Sequence, residues 1–125
     1  MGHRSVRGMV QVKGASIAHE STLERDLLTI LDFLPSAQRV RGQPITLTFR
    51  DPTTQKPRRY TPDVAVDFIG PTAAQPSTTA ATPMIYEVKY RADLFAQWPR
   101  LKPAFLAARA HAREQGATFK ILTER

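Results

Sequence analysis

The sequence predicts an α/β fold in which a mixed β-sheet is flanked by helices. Three observations lead to this prediction: an amphipathic helix pattern comes first, three runs of strand length follow it, and an alanine-rich helix pattern separates the third run from a fourth. A helix that joins two strands favours a right-handed parallel crossover. The fourth strand should therefore lie parallel to a neighbour in a sheet whose other strands are antiparallel.

The first helix is predicted from a capping box and from the apolar spacing that follows it. Ser21-Thr22-Leu23-Glu24 has the Ser-x-x-Glu form, in which each side chain accepts a hydrogen bond from a backbone N–H group. Pro35 ends the helix, whose apolar residues recur at helical spacing: Leu23, Leu27, Ile30, Leu31 and Leu34. Residues 1–19 are basic and show no clear period, so we expect a flexible N-terminal arm with one short extended piece at residues 9–12.

Three strands are predicted after this helix. Residues 45–49 alternate in polarity, and the turn formers at residues 51–57 indicate that the second strand, residues 60–69, returns antiparallel. Residues 84–90 form the third strand. The intervening residues 70–83 carry no charged and no large apolar side chain, which predicts a flexible loop inside a single domain of residues 20–125.

The C-terminal part should contain the second helix and the fourth strand. A short helical turn is expected at residues 92–98. Residues 101–115 are rich in alanine, with Pro103 near the start of this helix and Gly116 as its C-cap, and residues 119–122 form the last strand.

Composition limits the classes of protein to consider. At 125 residues the chain suits one domain that buries roughly two-thirds of its unfolded surface. No apolar run approaches the ~20 residues of a membrane-spanning helix, so no membrane partner is expected. The absence of cysteine excludes disulfides and thiolate-bound metals and favours a cytoplasmic protein. A net charge of +7 favours a polyanion such as nucleic acid, and hence a nucleoid-associated protein.

Two short motifs on neighbouring strands could carry chemistry. Pro62-Asp63 opens the body of the second strand, and alternation along the third strand places Glu87 and Lys89 on one face. Buried charges need each other or a ligand. If these strands form a hairpin, Asp63 approaches Glu87, and two close carboxylates repel unless a cation joins them. The alternative is an ordinary ion pair between Glu87 and Lys89, with Asp63 as a turn residue.

The residue types point to a hard divalent metal. Carboxylate oxygens select Mg²⁺ or Mn²⁺ rather than Zn²⁺. In this hypothesis Asp63, Glu87 and the backbone carbonyl of Val88 bind the metal, which acidifies a water and offsets charge on a scissile phosphate. Lys89 orients the attacking water or stabilises the phosphorus centre.

A third carboxylate and a phosphate contact complete the candidate residues. Glu24 borders the apolar stripe of the first helix, although a glutamate three residues after Ser21 is also what a capping box uses. Glu20 is the second choice for this carboxylate. Arg91 lies ahead of the last helix, either as a contact to DNA phosphates or as a solvated cation.

Five blocks of this sequence, in order, resemble the TnsA endonuclease N-terminal domain, a member of the restriction-endonuclease-like PD-(D/E)xK superfamily. Between Val12 and Arg125 these blocks are Glu20 to Leu28, Gln43-Pro44, Tyr60 to Asp63, Tyr86 to Lys89, and Leu122 to Glu124. The resemblance implies a restriction-endonuclease-like αβββαβ core. It also implies the catalytic set Glu24, Asp63, Glu87 and Lys89, metal binding by Glu24, Asp63, Glu87 and Val88, and a place for Gln43 near the DNA backbone or a metal-bound water.

The function that this resemblance implies is that of a Mg²⁺-dependent DNA endonuclease. Enzymes of the TnsA type cut the 5′ ends of a transposon beside a DDE transposase, which would be the partner here along with DNA, and cutting of a duplex suggests a homodimer or a second enzyme. A C-terminal domain usually follows in the family, whereas this sequence ends at Arg125, which limits what the resemblance implies about transposition. One alternative is an inactive DNA-binding or assembly subunit of the same fold, and another is a small basic interaction protein.

Overall fold

The computed structural model describes residues 7–71 and 79–124, which form eight strands and three helices. In chain order these are β1 (Gly8–Val12), β2 (Ala15–His19), α1 (Thr22–Phe33), β3 (Ala37–Gly42), β4 (Leu47–Arg50), β5 (Pro57–Tyr60), β6 (Val64–Pro71), β7 (Thr79–Val88), α2 (Arg91–Ala96), α3 (Trp98–Glu114) and β8 (Thr118–Leu122). None of the helices in these described ranges has the length and apolar character needed to cross a membrane.

A four-stranded mixed sheet in the order β3-β6-β7-β8 forms the centre of the fold. The pairs β3–β6 and β6–β7 are antiparallel, whereas β7 and β8 run parallel, with Met84 opposite Thr118 and Val88 opposite Leu122. The connection between β7 and β8 is made by α2 and α3. The predicted mixed sheet, with a helical crossover to a parallel last strand, is therefore confirmed.

Alternation along β6 separates the first core, which packs on α1, from the clusters that pack on α3. Val64 and Val66 are buried in a cluster with Leu28 and Leu31 of α1, whereas Ala65 packs against Ala112 of α3. The sheet is thus covered by α1 on one face and by α3 on the other. This layering fixes the ends of β6 and β7, where the candidate residues lie.

The N-terminal region differs from the expected flexible arm. Residues 8–12 and 15–19 form a hairpin whose turn has positive φ at Lys13 (53°) and Gly14 (85°). Both φ values are positive, as a two-residue type I′ hairpin turn requires. Val12 and Ile17 are buried with the side chains of α1, so this hairpin is part of the main core. The extended piece expected at residues 9–12 belongs to β1, and residues 1–6 lie outside the described residues.

The first strand of the central sheet was missed, and the strand at residues 45–49 was assigned to the wrong sheet. β3 occupies the position beside β6, and a register shift between Ala37 and Arg39 breaks the alternation of its apolar residues. β4, which holds most of the expected first strand, pairs only with β5 in a separate two-stranded sheet.

The expected strand at residues 60–69 is divided at Pro62. A proline has no N–H group for a sheet ladder, and the chain leaves β5 at Tyr60 and enters β6 at Val64. The loop expected at residues 70–83 is also shorter than expected, because β6 continues to Pro71 and β7 begins at Thr79. The rest of that loop, residues 72–78, lies outside the described residues.

The helix ends agree with the capping signals. The Ser21 side chain accepts a hydrogen bond from the Glu24 backbone N–H group at 3.1 Å, so the N-cap of α1 is confirmed. α3 begins earlier than expected, at Trp98, with Pro99 in its first turn. Gly116 follows the helix with a φ of 74°, a conformation that favours glycine.

Candidate active site

The hairpin of β6 and β7 brings Asp63 beside the end of β7. The Asp63 backbone N–H group donates to the Tyr86 carbonyl oxygen at 3.1 Å, which extends the register beyond Val64 opposite Tyr86. The carboxylate oxygen Oδ2 of Asp63 accepts a hydrogen bond from the Val88 backbone N–H group at 2.7 Å. Asp63 is thereby fixed over the strand end that carries Glu87 and Lys89.

Glu87 is buried and has two neighbours in the protein. Only 5% of the Glu87 surface is exposed to solvent. The Tyr60 hydroxyl group donates a hydrogen bond to Glu87 Oε1, and the ammonium nitrogen of Lys89 lies 4.0 Å from Glu87 Oε2. The predicted ion pair between Glu87 and Lys89 is present, but at the outer limit of such a contact, and it leaves Asp63 without a cation of its own among these contacts.

Glu24 faces this pair from the start of α1. Its carboxylate oxygen Oε1 is 3.4 Å from the Ser21 hydroxyl group, and Ser21 caps the helix as described above. The charge of Asp63 is, after burial, the largest influence on the Glu24 carboxyl group. Glu24 therefore belongs to the capping motif of α1, which was one of the two roles considered. It also lies close enough to Asp63 to interact with it, which was the other.

All three carboxyl groups are harder to ionise than in water. Burial, and then the charge of Asp63, raises the pKa of Glu24 to about 7. Burial raises the pKa of Asp63 to about 6 against the opposing effects of the Val88 N–H group and Lys89. Burial, and then the charge of Asp63, raises the pKa of Glu87 to about 8. Burial is the main cause for all three groups, and repulsion between the carboxylates adds to it at Glu24 and Glu87, so ionising them together is unfavourable without a cation.

These residues line one open cavity of about 330 Å³. Its lining contains five carboxylate residues and one lysine, namely Glu20, Glu24, Asp63, Glu87, Asp93 and Lys89. Asp93 of α2 was not found by sequence reasoning, since nothing in its local pattern distinguishes it from a helix surface residue. Tyr60 was quoted within a motif, but its contact with Glu87 joins positions 27 residues apart and has no local signal.

The remaining candidates are placed less uniformly. Gln43 lines the cavity, its backbone has a φ of 45°, and its N–H group donates to the Asp63 carbonyl oxygen at 2.8 Å. Val88 also lines the cavity, and the metal-binding role of its carbonyl stays a prediction. Arg91 is not part of this lining; its residue is exposed and its backbone N–H group donates to a Glu124 carboxylate oxygen at 2.8 Å.

The residues at this cavity suit a cation that keeps several water ligands, such as Mg²⁺, better than a cation enclosed by protein side chains. In residues 7–71 and 79–124, no group of three or more acidic, histidine or cysteine side chains is spaced to hold a metal. Mg²⁺ is usually bound by one or two carboxylates and keeps several waters. Asp63 and Glu87 supply two carboxylates at this cavity, the number that such a site uses.

The fold and the arrangement of these residues define a restriction-endonuclease-like protein. The family model described as TnsA-like endonuclease N terminal matches residues 34–124, most of the chain, and the protein belongs to this family. The expected family is thus confirmed. The matched range includes Gln43, Asp63, Glu87 and Lys89 but not α1, so the position of Glu24 next to the other candidate residues is known only from the structure. No curated protein and no solved structure gives a significant match to the chain.

Proposed function

We propose that this protein is an endonuclease that hydrolyses phosphodiester bonds in DNA with Mg²⁺ or Mn²⁺. The observation that carries the proposal is the meeting of Asp63, Glu87 and Lys89 at the ends of adjacent strands, with both carboxyl groups held at raised pKa. Buried acids that the protein does not neutralise are candidates for a functional site. Membership of the TnsA-like endonuclease family supports this reaction class.

The metal would be held by Asp63, Glu87 and the Val88 carbonyl, and the Glu24 carboxylate would lie beside these ligands. A divalent cation bound there supplies an acidified water and offsets the negative charge that develops on the scissile phosphate. The carboxylates contribute the charge that attracts the cation. Without it, five carboxylate residues in the cavity lining would repel a DNA phosphate.

Lys89 would act on the phosphate itself. Its side chain is 27% exposed and borders the cavity, so the ammonium group is accessible from the side on which DNA would approach. From this position it can donate a hydrogen bond to a phosphate oxygen or to the attacking water. Its positive charge is most useful when the phosphorus centre gains negative charge in the transition state.

The partners follow from the family and from the charge of the chain. DNA is the substrate, and the net charge of +7 is favourable for binding it in spite of the acidic cavity. Cleavage of transposon 5′ ends beside a DDE transposase is the specific reaction that we propose. One active site cuts one strand, so cutting of a duplex would need a second copy or that partner. The protein would act at the nucleoid, in the cytoplasm.

Plasmid nicking tests the chemistry directly. Supercoiled plasmid with Mg²⁺ or Mn²⁺ should be nicked by the protein, and Asp63→Asn should reduce the rate roughly a thousandfold because a metal contributes several kcal/mol to the transition state. Lys89→Met should reduce it roughly 100- to 1000-fold. Calorimetry should show Mn²⁺ binding that Asp63→Asn abolishes and Lys89→Met preserves, which tests the site even if cutting requires a transposase.

Matched variants on the same strands separate the site from general effects. Asp67→Asn changes a carboxylate on β6 that lies 3.7 Å from Arg39, and Lys120→Met removes an exposed lysine from β8. Both should retain wild-type nicking and Mn²⁺ binding. Equal activity in Asp63→Asn and Asp67→Asn would mean that a contaminating nuclease cuts the plasmid, and the proposal would then be wrong.

An inactive DNA-binding or assembly subunit is the second candidate. One observation favours it: Asp63 Oδ2 and Glu87 Oε1 already accept hydrogen bonds from the protein, which leaves fewer free oxygens for a metal. For such a subunit, DNA should shift equally in gels with wild type and Asp63→Asn, and calorimetry should show no Mn²⁺ binding.

A further inference from the structure

Tyr60 has a fixed ring next to the candidate site. It ends β5, where it is the register partner of Leu47. The Tyr60 ring meets the ring of Phe105 edge-on at a centroid distance of 5.7 Å and that of Phe119 at 6.5 Å. Contacts with both α3 and β8 therefore restrict the ring, and with it the direction of its hydroxyl group.

The hydroxyl group points at one oxygen of Glu87. It donates to Glu87 Oε1, while Oε2 lies on the side of Lys89. The two oxygens of this carboxylate thus have different surroundings. A neutral hydroxyl donor fixes the orientation of a carboxylate without cancelling its charge, whereas a lysine or arginine in the same place would compete with a metal for that charge.

We propose that Tyr60 is a positioning residue for Glu87: it holds Oε1, so that Oε2 stays on the side of Lys89 and would be left to bind a divalent cation. The inference rests on the proposed function and deepens it. Tyr60 acts through Glu87 and does not contact the reacting atoms. Groups that hydrogen-bond to metal ligands in this way restrict the ligand's orientation, and their loss typically weakens metal binding or activity about 10- to 100-fold.

Tyr60→Phe tests this role, because it removes the hydroxyl group and keeps the ring that packs on Phe105 and Phe119. Mn²⁺ binding measured by calorimetry without DNA should weaken about 10- to 100-fold. In the nicking assay kcat should fall at limiting Mn²⁺, recover in part as Mn²⁺ is raised, and leave the KM for DNA unchanged. Tyr86→Phe is the matched control, since it removes a hydroxyl group from the adjacent residue, whose ring packs against the α1 core.

The outcomes separate this inference from the proposed function. Wild-type Mn²⁺ affinity in Tyr60→Phe, or a loss no greater than that in Tyr86→Phe, would overturn the positioning role while Asp63→Asn still supports the endonuclease. A lower unfolding temperature with unchanged Mn²⁺ affinity would assign the Tyr60 hydroxyl group to the stability of the fold only. If the wild-type protein binds no Mn²⁺ and Glu87→Gln changes nothing, both proposals fail together.

Discussion

Asp51 has opposite surroundings to the pair Asp63 and Glu87, and this contrast distinguishes a carboxylate that stabilises the fold from carboxylates that suit a functional site. Asp51, in the turn between β4 and β5, accepts hydrogen bonds from the backbone N–H groups of Thr53 and Thr54 at 2.8 and 3.1 Å. Its other oxygen lies 2.9 Å from an Arg58 nitrogen. The hydrogen bond from Arg58, together with the two from the backbone, lowers the pKa of Asp51.

Asp63 and Glu87 have the same chemical groups but much less compensation. One backbone N–H group donates to Asp63, one neutral hydroxyl group donates to Glu87, and the ammonium nitrogen of Lys89 lies 4.0 Å from Glu87 Oε2. Burial raises the pKa of both carboxyl groups. A site selected only for stability would gain from an arrangement like that of Asp51, so the lack of compensation at Asp63 and Glu87 is what a cation-binding site requires.

The largest expected effect comes from replacing a carboxylate by an amide, at Glu87 in the candidate site and at Asp51 in the turn. Glu87→Gln should reduce nicking roughly a thousandfold, since a metal contributes several kcal/mol. It should also raise the metal-free unfolding temperature at pH 8, because a buried and poorly compensated charge is removed. Asp51→Asn should do the reverse: nicking stays at the wild-type rate, and the unfolding temperature falls because Arg58 loses its carboxylate partner.

Both measurements are needed to interpret this pair. Plasmid nicking and thermal unfolding monitored by circular dichroism should be recorded on the same preparations. If Glu87→Gln lowers the unfolding temperature as Asp51→Asn does and still cuts DNA, then the carboxylates near Lys89 are structural and the contrast is wrong.

An intermediate effect is expected at Glu24, which lies outside the range matched by the family model. Glu24→Gln preserves the helix cap, because Ser21 accepts its hydrogen bond from the Glu24 backbone. It removes a negative charge that faces Asp63, so Mn²⁺ affinity and nicking should fall about 10- to 100-fold, as for groups that surround metal ligands. Asp26→Asn, two residues along the same helix and exposed, is the control and should behave as wild type.

A larger loss at Glu24 would change its assignment. If Glu24→Gln abolished Mn²⁺ binding as completely as Asp63→Asn, Glu24 would be a direct ligand. No change in either measurement would leave it as a capping residue only, and the site would then consist of the residues within the matched range.

Local patterns were sufficient to predict that Asp63, Glu87 and Lys89 lie close together. Alternation along β7 placed Glu87 and Lys89 together, the turn signals after residue 50 predicted a return of the chain, and Pro62 marked the entry of Asp63. The capping box located the start of α1 correctly. Each of these signals lies within a few residues of the feature that it predicts.

The errors concern features that depend on distant residues. The register shift in β3 hides its alternation, and only pairing with β6 reveals it as a strand. The first core needs β1 and β2 to cover α1, which the basic composition of residues 1–19 did not indicate. The contact of Tyr60 with Glu87 and the position of Asp93 at the cavity arise from the assembled fold. A sequence taken alone carries no signal for contacts of this kind.

The smallest expected effect is a dependence of metal-free stability on pH. Glu24, Asp63 and Glu87 ionise near pH 4 in the unfolded chain but at about 7, 6 and 8 in the folded protein. Between these values the folded state binds more protons than the unfolded state. The free energy of unfolding should therefore fall as the pH rises from about 4 to 8.

Asp51 and the carboxylates of the candidate site affect stability in different pH ranges. Asp51 has a lowered pKa, so its stabilising contribution is present above its unfolded value of 3.8 and is lost only as the pH falls below it. Urea unfolding at pH 5 and pH 8 avoids that region and reports on the site. Glu87→Gln should flatten the decline and Asp51→Asn should leave it unchanged. Saturating Mn²⁺ should reduce the wild-type decline, because a bound cation favours the ionised carboxylates of the folded state. Stability that is equal at pH 5 and pH 8 in metal-free protein would contradict the raised pKa values that support the proposed metal site.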